Sequence, residues 1–271
     1  MINSSLRASR SIAFALIPVA LLAAVAPWIH VSVLPALALG FVVASLALVG
    51  GAAGTTLYAR TPNDLVPLGL AGIVCMAAGW SIAHAGHGRV ATEVISGLVA
   101  SAGVLAVGSA VGHAVGGRMA DPGHLLAVAF ASSAADIWSV HAPEGVSHAI
   151  VASTDVSLQR LVTVSAAIAP DRVPQPAIGI GDMIFAALYL SVCRRHDLSR
   201  TRMTLAVALG LLLAGASTFA LKRAMPALPF IGAMVVLFEP RARAVARHDR
   251  FATGLAATLL LIAAVRVAGQ F

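Results

Sequence analysis

Nine apolar runs separated by short polar turns constrain this chain more than any other feature. They lie at roughly 11–28, 32–58, 65–85, 91–116, 122–141, 176–193, 203–221, 226–239 and 251–268. Most are long enough for a helix to cross a hydrocarbon core of about 30 Å. Backbone in lipid must satisfy its own hydrogen bonds, and runs of this length are too long for barrel strands, so each reads as a helix. The expected fold class is all-α, a polytopic membrane protein of about nine transmembrane helices. The eighth run is short, which leaves eight spans plus a re-entrant piece as the alternative count.

Composition agrees: 59% of the 271 residues are hydrophobic and only 11% are charged, against roughly 25% charged in a soluble domain. Arg7 and Arg10 precede an apolar run ending Ala24-Val25-Ala26, as in a signal peptide. Pro27 directly afterwards disfavours cleavage, so the run is kept as the first membrane helix. The only cysteines, Cys75 and Cys193, lie in or beside apolar segments and form neither a disulfide framework nor a CxxC metal site.

The formal net charge of +7 could suggest a nucleic-acid partner. The basic residues, however, sit in the turns between runs rather than on one face or arm, so no nucleic acid is expected and the charges read as orientation signals. Alternate sides carry twelve and six Lys or Arg. The richer set is Arg7, Arg10, Arg60, Arg118, Arg194, Arg195, Arg200, Arg202, Arg241, Arg243, Arg247 and Arg250; the poorer is Arg89, Arg160, Arg172, Lys222, Arg223 and Arg266. The positive-inside rule then puts the N-terminus in the cytoplasm and the long 142–175 connection on the outer face.

Three regions follow: an N-terminal bundle of about four helices over 1–121, a central region over 122–240, and a loop with an additional helix over 241–271. In the first, Gly108, Gly112 and Gly116 form a small-residue stripe along which a neighbouring helix can approach closely. The 142–175 connection contains the β-branched stretch Leu161 to Val164 and reads as a partly ordered loop with room for a short strand, able to pair with an extended peptide.

Most acidic residues fall in loops or at helix ends, but Asp136 and Asp182 fall inside apolar runs. An ionisable side chain at membrane depth costs roughly 2.5–3.5 kcal/mol on insertion scales and marks a functional position. Asp136 lies about five residues before its run ends near His141, and Asp182 about six residues after the expected helix start at Pro176. At 1.5 Å per residue both would lie roughly 7–9 Å below the same membrane face, because consecutive spans are antiparallel. Two adjacent carboxyl groups cannot both ionise cheaply and titrate as one unit. One can then take a proton from water while its protonated partner polarises a carbonyl. Gly179 and Gly181 remove side chains beside Asp182 and would admit a partner helix or an extended substrate.

These residues resemble a family. Gly179-Ile180-Gly181-Asp182 is similar to the GxGD motif of presenilin and signal peptide peptidase, Asp136 in Ala135-Asp136-Ile137-Trp138 to the aspartate of the preceding catalytic helix, and Pro226-Ala227-Leu228 to the PAL motif. Order and spacing agree over roughly residues 122–240. The resemblance implies a presenilin-like fold and an intramembrane aspartyl protease that cleaves transmembrane-helix peptide substrates in the lipid bilayer. Asp136 and Asp182 would be catalytic, with Gly179, Ile180, Gly181, Pro226, Ala227 and Leu228 shaping the active site, and no cofactor or metal. The chain departs from the family in having Ala135 where a tyrosine is usual, four spans rather than five before the first catalytic helix, and the extra run 251–268. Lys222-Arg223 before the PAL motif looks more like presenilin, whereas the charge count matches signal peptide peptidase orientation.

Three rival readings stand beside this one. A prepilin-type leader peptidase also carries GxGD but no PAL segment. A proton-coupled transporter would use the two aspartates as a relay and should show inverted repeats of broken helices. In a non-catalytic scaffold the aspartates would be dispensable. Among other candidates, His84 and His87 are spaced for a metal but lack a third ligand and read as interfacial. His113, His124, His141 and His148 read as helix-end or loop residues, His141 being the nearest to the site, and Asp155 and Asp171 as solvated.

Overall fold

In a computed structural model of the chain, residues 2–25, 33–59, 61, 63–86, 89–153, 156–167 and 174–268 are described. Ala26, Pro27, Arg60, His87, Asp155, Asp171 and Arg172, named above, lie outside them. The chain runs α1 (Ile2–Val25), α2 (Val33–Tyr58), α3 (Val66–Ala85), α4 (Val90–Gly116), α5 (His124–His141), α6 (Val146–Ala152) and α7 (Val156–Leu161). A hairpin of β1 (Thr163–Ala167) and β2 (Pro174–Gly179) follows, then α8 (Ile180–Arg195), α9 (Arg200–Leu221), α10 (Leu228–Phe238) and α11 (Arg250–Ala268). Among the described residues, seven helices are long and apolar enough to cross a membrane. The protein is therefore a helical membrane-embedded chain. The two remaining runs form shorter helices, α8 with 16 residues and α10 with 11.

The chain divides into two compact units that interleave in sequence, one of residues 1–117 and 154–191, the other of 118–153 and 192–271. In lipid, apolar side chains gain little by meeting each other, so helices associate where small residues let backbones close in. The first unit follows this rule. A Cβ on Gly72 would lie 2.9 Å from the Gly103 carbonyl, and one on Gly79 2.9 Å from the Ser96 carbonyl, so α3 and α4 meet backbone to backbone. The second stripe of α4 has α8 as its partner: Gly108 faces Met183, Gly112 the Ile184 carbonyl and Gly116 Leu188. The small-residue stripe thus seats the helix that carries Asp182.

The hairpin belongs to the same unit. Thr163 pairs with Gly179 and Val164 with Ile178, and the register then slips between Val164 and Ser165 so that Ser165 faces Pro176. Val164 and Ile178 are buried. Pro174 and Pro176 cannot donate to a ladder, which a two-stranded sheet tolerates because each strand is an edge. The Ser165 N–H instead donates to Ser101 Oγ of α4 at 3.0 Å. Arg160, in the last turn of α7, is 3% exposed and pairs with Glu93 in the first turn of α4, tying the segment before β1 to that helix.

The second unit packs α10 and α11 against α5. Gly232 of α10 rests on Ala129 of α5, where a Cβ would come within 3.1 Å, and Gly210 of α9 lies against the backbone of Ile231. Helix α11 runs beside α5 in the same direction. His124 at the start of α5 bonds Asp249 just before α11 at 2.9 Å, and Arg266 near the end of α11 lies 5.6 Å from the ring centre of Trp138. Ser199 caps α9 by accepting the Arg202 N–H at 3.4 Å, and Lys222 ends it in the left-handed region at φ 52°.

Candidate functional site

Asp136 lies in α5, five residues before its last residue, His141, as the sequence suggests. Its Oδ2 accepts the backbone N–H of Leu228 at 2.9 Å. The cause is a helix end that cannot cap itself. The first N–H groups of a helix have no partner within it and need an acceptor. Ala227, at the N-cap of α10, has no side-chain oxygen to offer, and Pro229 has no N–H. The Phe230 N–H is taken by the Ala227 carbonyl at 3.1 Å. Leu228 remains, and a carboxylate from another helix serves it where the α10 macrodipole also favours negative charge. Pro226 and Leu228 are buried, which fixes the turn. The PAL segment thus reaches Asp136, 92 positions earlier in the chain, through the Leu228 N–H.

Asp182 is held differently. The sequence reading placed a helix start at Pro176, but residues 174–179 form β2 and α8 begins at Ile180. Asp182 is therefore in the first turn of its helix rather than six residues deep. The physical reason is the hairpin: Ile178 is buried opposite Val164, and the Ile180 N–H donates to the Val162 carbonyl at 2.8 Å, holding the chain extended up to that residue. The Gly179 N–H donates to Asp182 Oδ2 at 3.1 Å, so the carboxylate caps the turn that carries it. Among the described residues, nothing lies within 4 Å of a Cβ built on Gly181, and at Gly179 the nearest atom is Asp182 Oδ2 at 3.7 Å. Of the two uses expected for these glycines, close approach of a partner helix is not what surrounds them; clearance beside the carboxylate is. Asp182 belongs to the first unit and Asp136 to the second.

The histidines find other work. His113 is buried with Nε2 2.9 Å from the Thr61 carbonyl, His124 pairs with Asp249, and His84 stacks on Trp80 with ring centres 4.2 Å apart. His148 is exposed, and His141 ends α5 half-buried. Among the described residues, no three His, Cys, Asp or Glu side chains are grouped to hold a metal ion.

Sequence reasoning missed two features of this site. The capping of α10 by Asp136 was foreshadowed by Ala227 and Pro229, which leave the helix start without its own acceptor. The packing of α11 along α5 left no sequence signal beyond the charged residues Asp249 and Arg266 at its ends. Comparison with protein-family models, with curated proteins and with solved structures yields no match for this chain.

Proposed function

We propose that the protein is an intramembrane aspartyl protease that hydrolyses peptide bonds within transmembrane helices, with Asp136 and Asp182 as its acid–base pair. The observation that carries this reading is the Leu228 N–H to Asp136 hydrogen bond. Two sequence elements that enter the resemblance separately meet in space, and they meet through chemistry that presents a carboxylate at a helix N-terminus. The clearance around Gly181 beside the second carboxylate supports it further, because a substrate backbone needs room there.

In this mechanism one carboxylate takes a proton from water as it attacks the scissile carbonyl, while the protonated partner donates to the carbonyl oxygen. No covalent intermediate and no metal is involved. A helical substrate must unwind to expose a peptide bond, and its freed N–H and C=O groups then need partners in lipid. The β1–β2 hairpin directly before Asp182 is suited to supply them by strand addition. The presenilin-like arrangement of nine spans, with α8 and α10 as the two short ones, belongs to the same proposal. So does the orientation, with the N-terminus cytoplasmic and the 142–175 connection outside; labelling of Ser199→Cys by an impermeant thiol reagent from outside would reverse it.

The test is proteolysis of single-span helical substrates by purified protein, followed by mass spectrometry of the fragments. Asp136→Asn, Asp182→Asn and the double variant should each lose at least about a thousandfold in activity, a barrier increase of about 4 kcal/mol. The losses should not add, because the groups act as a unit. Activity of the wild type should be bell-shaped in pH, since the competent state holds one proton between two carboxyls. Cleavage surviving in either single variant overturns the dyad, and ion-coupled flux without any cleavage points to the transporter.

A further inference from the structure

A groove in the second unit, of about 380 Å³, runs along the contact of α5 with α10 and has no part in the mechanism above. Leu126, Leu237 and Arg243 lie at one end, Ser133 and Pro229 at the other, and Leu260 of α11 forms part of the wall. The helices are antiparallel, since Ala129 faces Gly232 and Asp136 faces Leu228. Pro229 to Leu237 covers about 12 Å of helix axis. Among the described residues, Ser133 and Arg243 are the polar side chains that line the groove.

Size and chemistry decide what fits. A 12 Å length of helix about 10 Å across fills on the order of 900 Å³ and would not fit wholly within the groove. An extended peptide would be narrow enough, but its N–H and C=O groups would face apolar walls without partners, at several kcal/mol each. An acyl chain has no polar groups to satisfy. At the Arg243 end the charge is positive: Arg241, Arg243, Arg247 and Arg250 are exposed, while the nearby carboxylates are occupied. Glu239 is 6% exposed and accepts the Arg241 N–H at 3.2 Å, and Asp249 is engaged by His124 at 2.9 Å and His248 at 3.3 Å. Arg243 gives Nη2 to the Leu237 carbonyl at 3.1 Å, which anchors the guanidinium at the mouth with donors to spare for a phosphate.

We propose that this groove is a lipid-binding site for an anionic phospholipid, with one acyl chain between α5 and α10 and the phosphate on Arg243. The site rests on membrane embedding alone and stands whether or not the protein cuts peptides. Its inner end, at Ser133 and Pro229, adjoins the residues that hold Asp136, so a bound chain would fill the apolar space next to that carboxylate.

The experiment uses the full chain in phosphatidylcholine nanodiscs containing a minor fraction of phosphatidylglycerol with a photoactivatable acyl chain, and crosslinks are mapped by mass spectrometry. Crosslinks should concentrate on residues 126–133 and 229–237, and unlabelled phosphatidylglycerol should compete them away saturably. Ala233→Trp, which fills the groove from its wall, should remove most of them. Arg243→Gln should reduce crosslinking by phosphatidylglycerol about fivefold, with little change for labelled phosphatidylcholine. Labelling spread evenly over the lipid-facing helices, or unsaturable competition in the wild type, overturns the groove. Equal labelling by the two lipids, indifferent to Arg243→Gln, overturns the headgroup assignment. The competition arm needs no variant, so a misfolded Ala233→Trp does not protect the proposal.

Discussion

Asp136 and Asp182 share a residue type and a role in the proposed chemistry, yet the molecule secures them by opposite means. Asp182 is held by its own neighbourhood: the partner of its Oδ2 is the Gly179 N–H three residues away, on a turn set by the hairpin. Asp136 is held from far off, by the N-terminus of a helix that begins at Leu228. A local hold costs little chain entropy and survives movement of the surroundings, whereas a distant one exists only while α10 is docked on α5. Asp182 therefore reports on the state of the hairpin, and Asp136 on the docking of α10 on α5.

The largest effect expected from breaking this comparison lies on the Asp182 side. Glu93→Gln would remove the charge that faces the buried Arg160 at the base of the hairpin, a loss of up to about 3–5 kcal/mol for breaking a buried ion pair. The thermal unfolding temperature should fall, and hydrogen exchange should rise at Val162, Val164 and Ile178 before it rises in α5. If exchange rises first in α5 instead, the two units do not open independently.

A smaller effect tests the distant hold. Replacing Leu228 by its α-hydroxy analogue removes the N–H and keeps the side chain, so the bond to Asp136 is lost without a cavity. Hydrogen bonds to charged groups contribute about 1.5–3 kcal/mol, and cleavage should fall by roughly ten- to a hundredfold with little change in fold. An unchanged rate would mean that Asp136 is positioned by α5 alone. The corresponding change at Gly179 should cost less stability, because the turn remains fixed by the Ile180 to Val162 bond.

The smallest effect concerns α11. Arg266→Gln removes the cation from the face of Trp138, an interaction of about 0.5–1 kcal/mol at an exposed site. Stability of the second unit should drop by that amount, while the first unit is unaffected. A drop shared by both units would show that α11 supports more than the Asp136 helix.

Much of the fold was legible in the sequence because a lipid solvent leaves few options. Six apolar runs became membrane-length helices whose ends match the expected ones closely, such as 65–85 against Val66–Ala85 and 91–116 against Val90–Gly116, while the first, expected over 11–28, begins nine residues earlier at Ile2. The exceptions are instructive. Pro176-Ala177-Ile178-Gly179 is apolar and begins with proline, which reads as the first turn of a helix. A short apolar run is equally compatible with a strand, and pairing with Thr163–Ala167 chose the strand. That choice moved Asp182 to a helix start. The glycines of α4 announced a close partner but not its identity, which is α8.

By itself, then, the sequence determined the solvent of this protein, its helical class and which two carboxylates fall within its apolar runs. These follow from hydrophobic length and from the price of charge in lipid, both of which are sums over neighbouring residues. Only the tertiary structure decided which helix meets which, that Asp136 caps α10, and that an apolar groove ends at Arg243. Those depend on contacts between residues about a hundred positions apart. No local pattern encodes them, because an unpaired N–H at a helix start specifies that an acceptor is required but not where in the chain it resides.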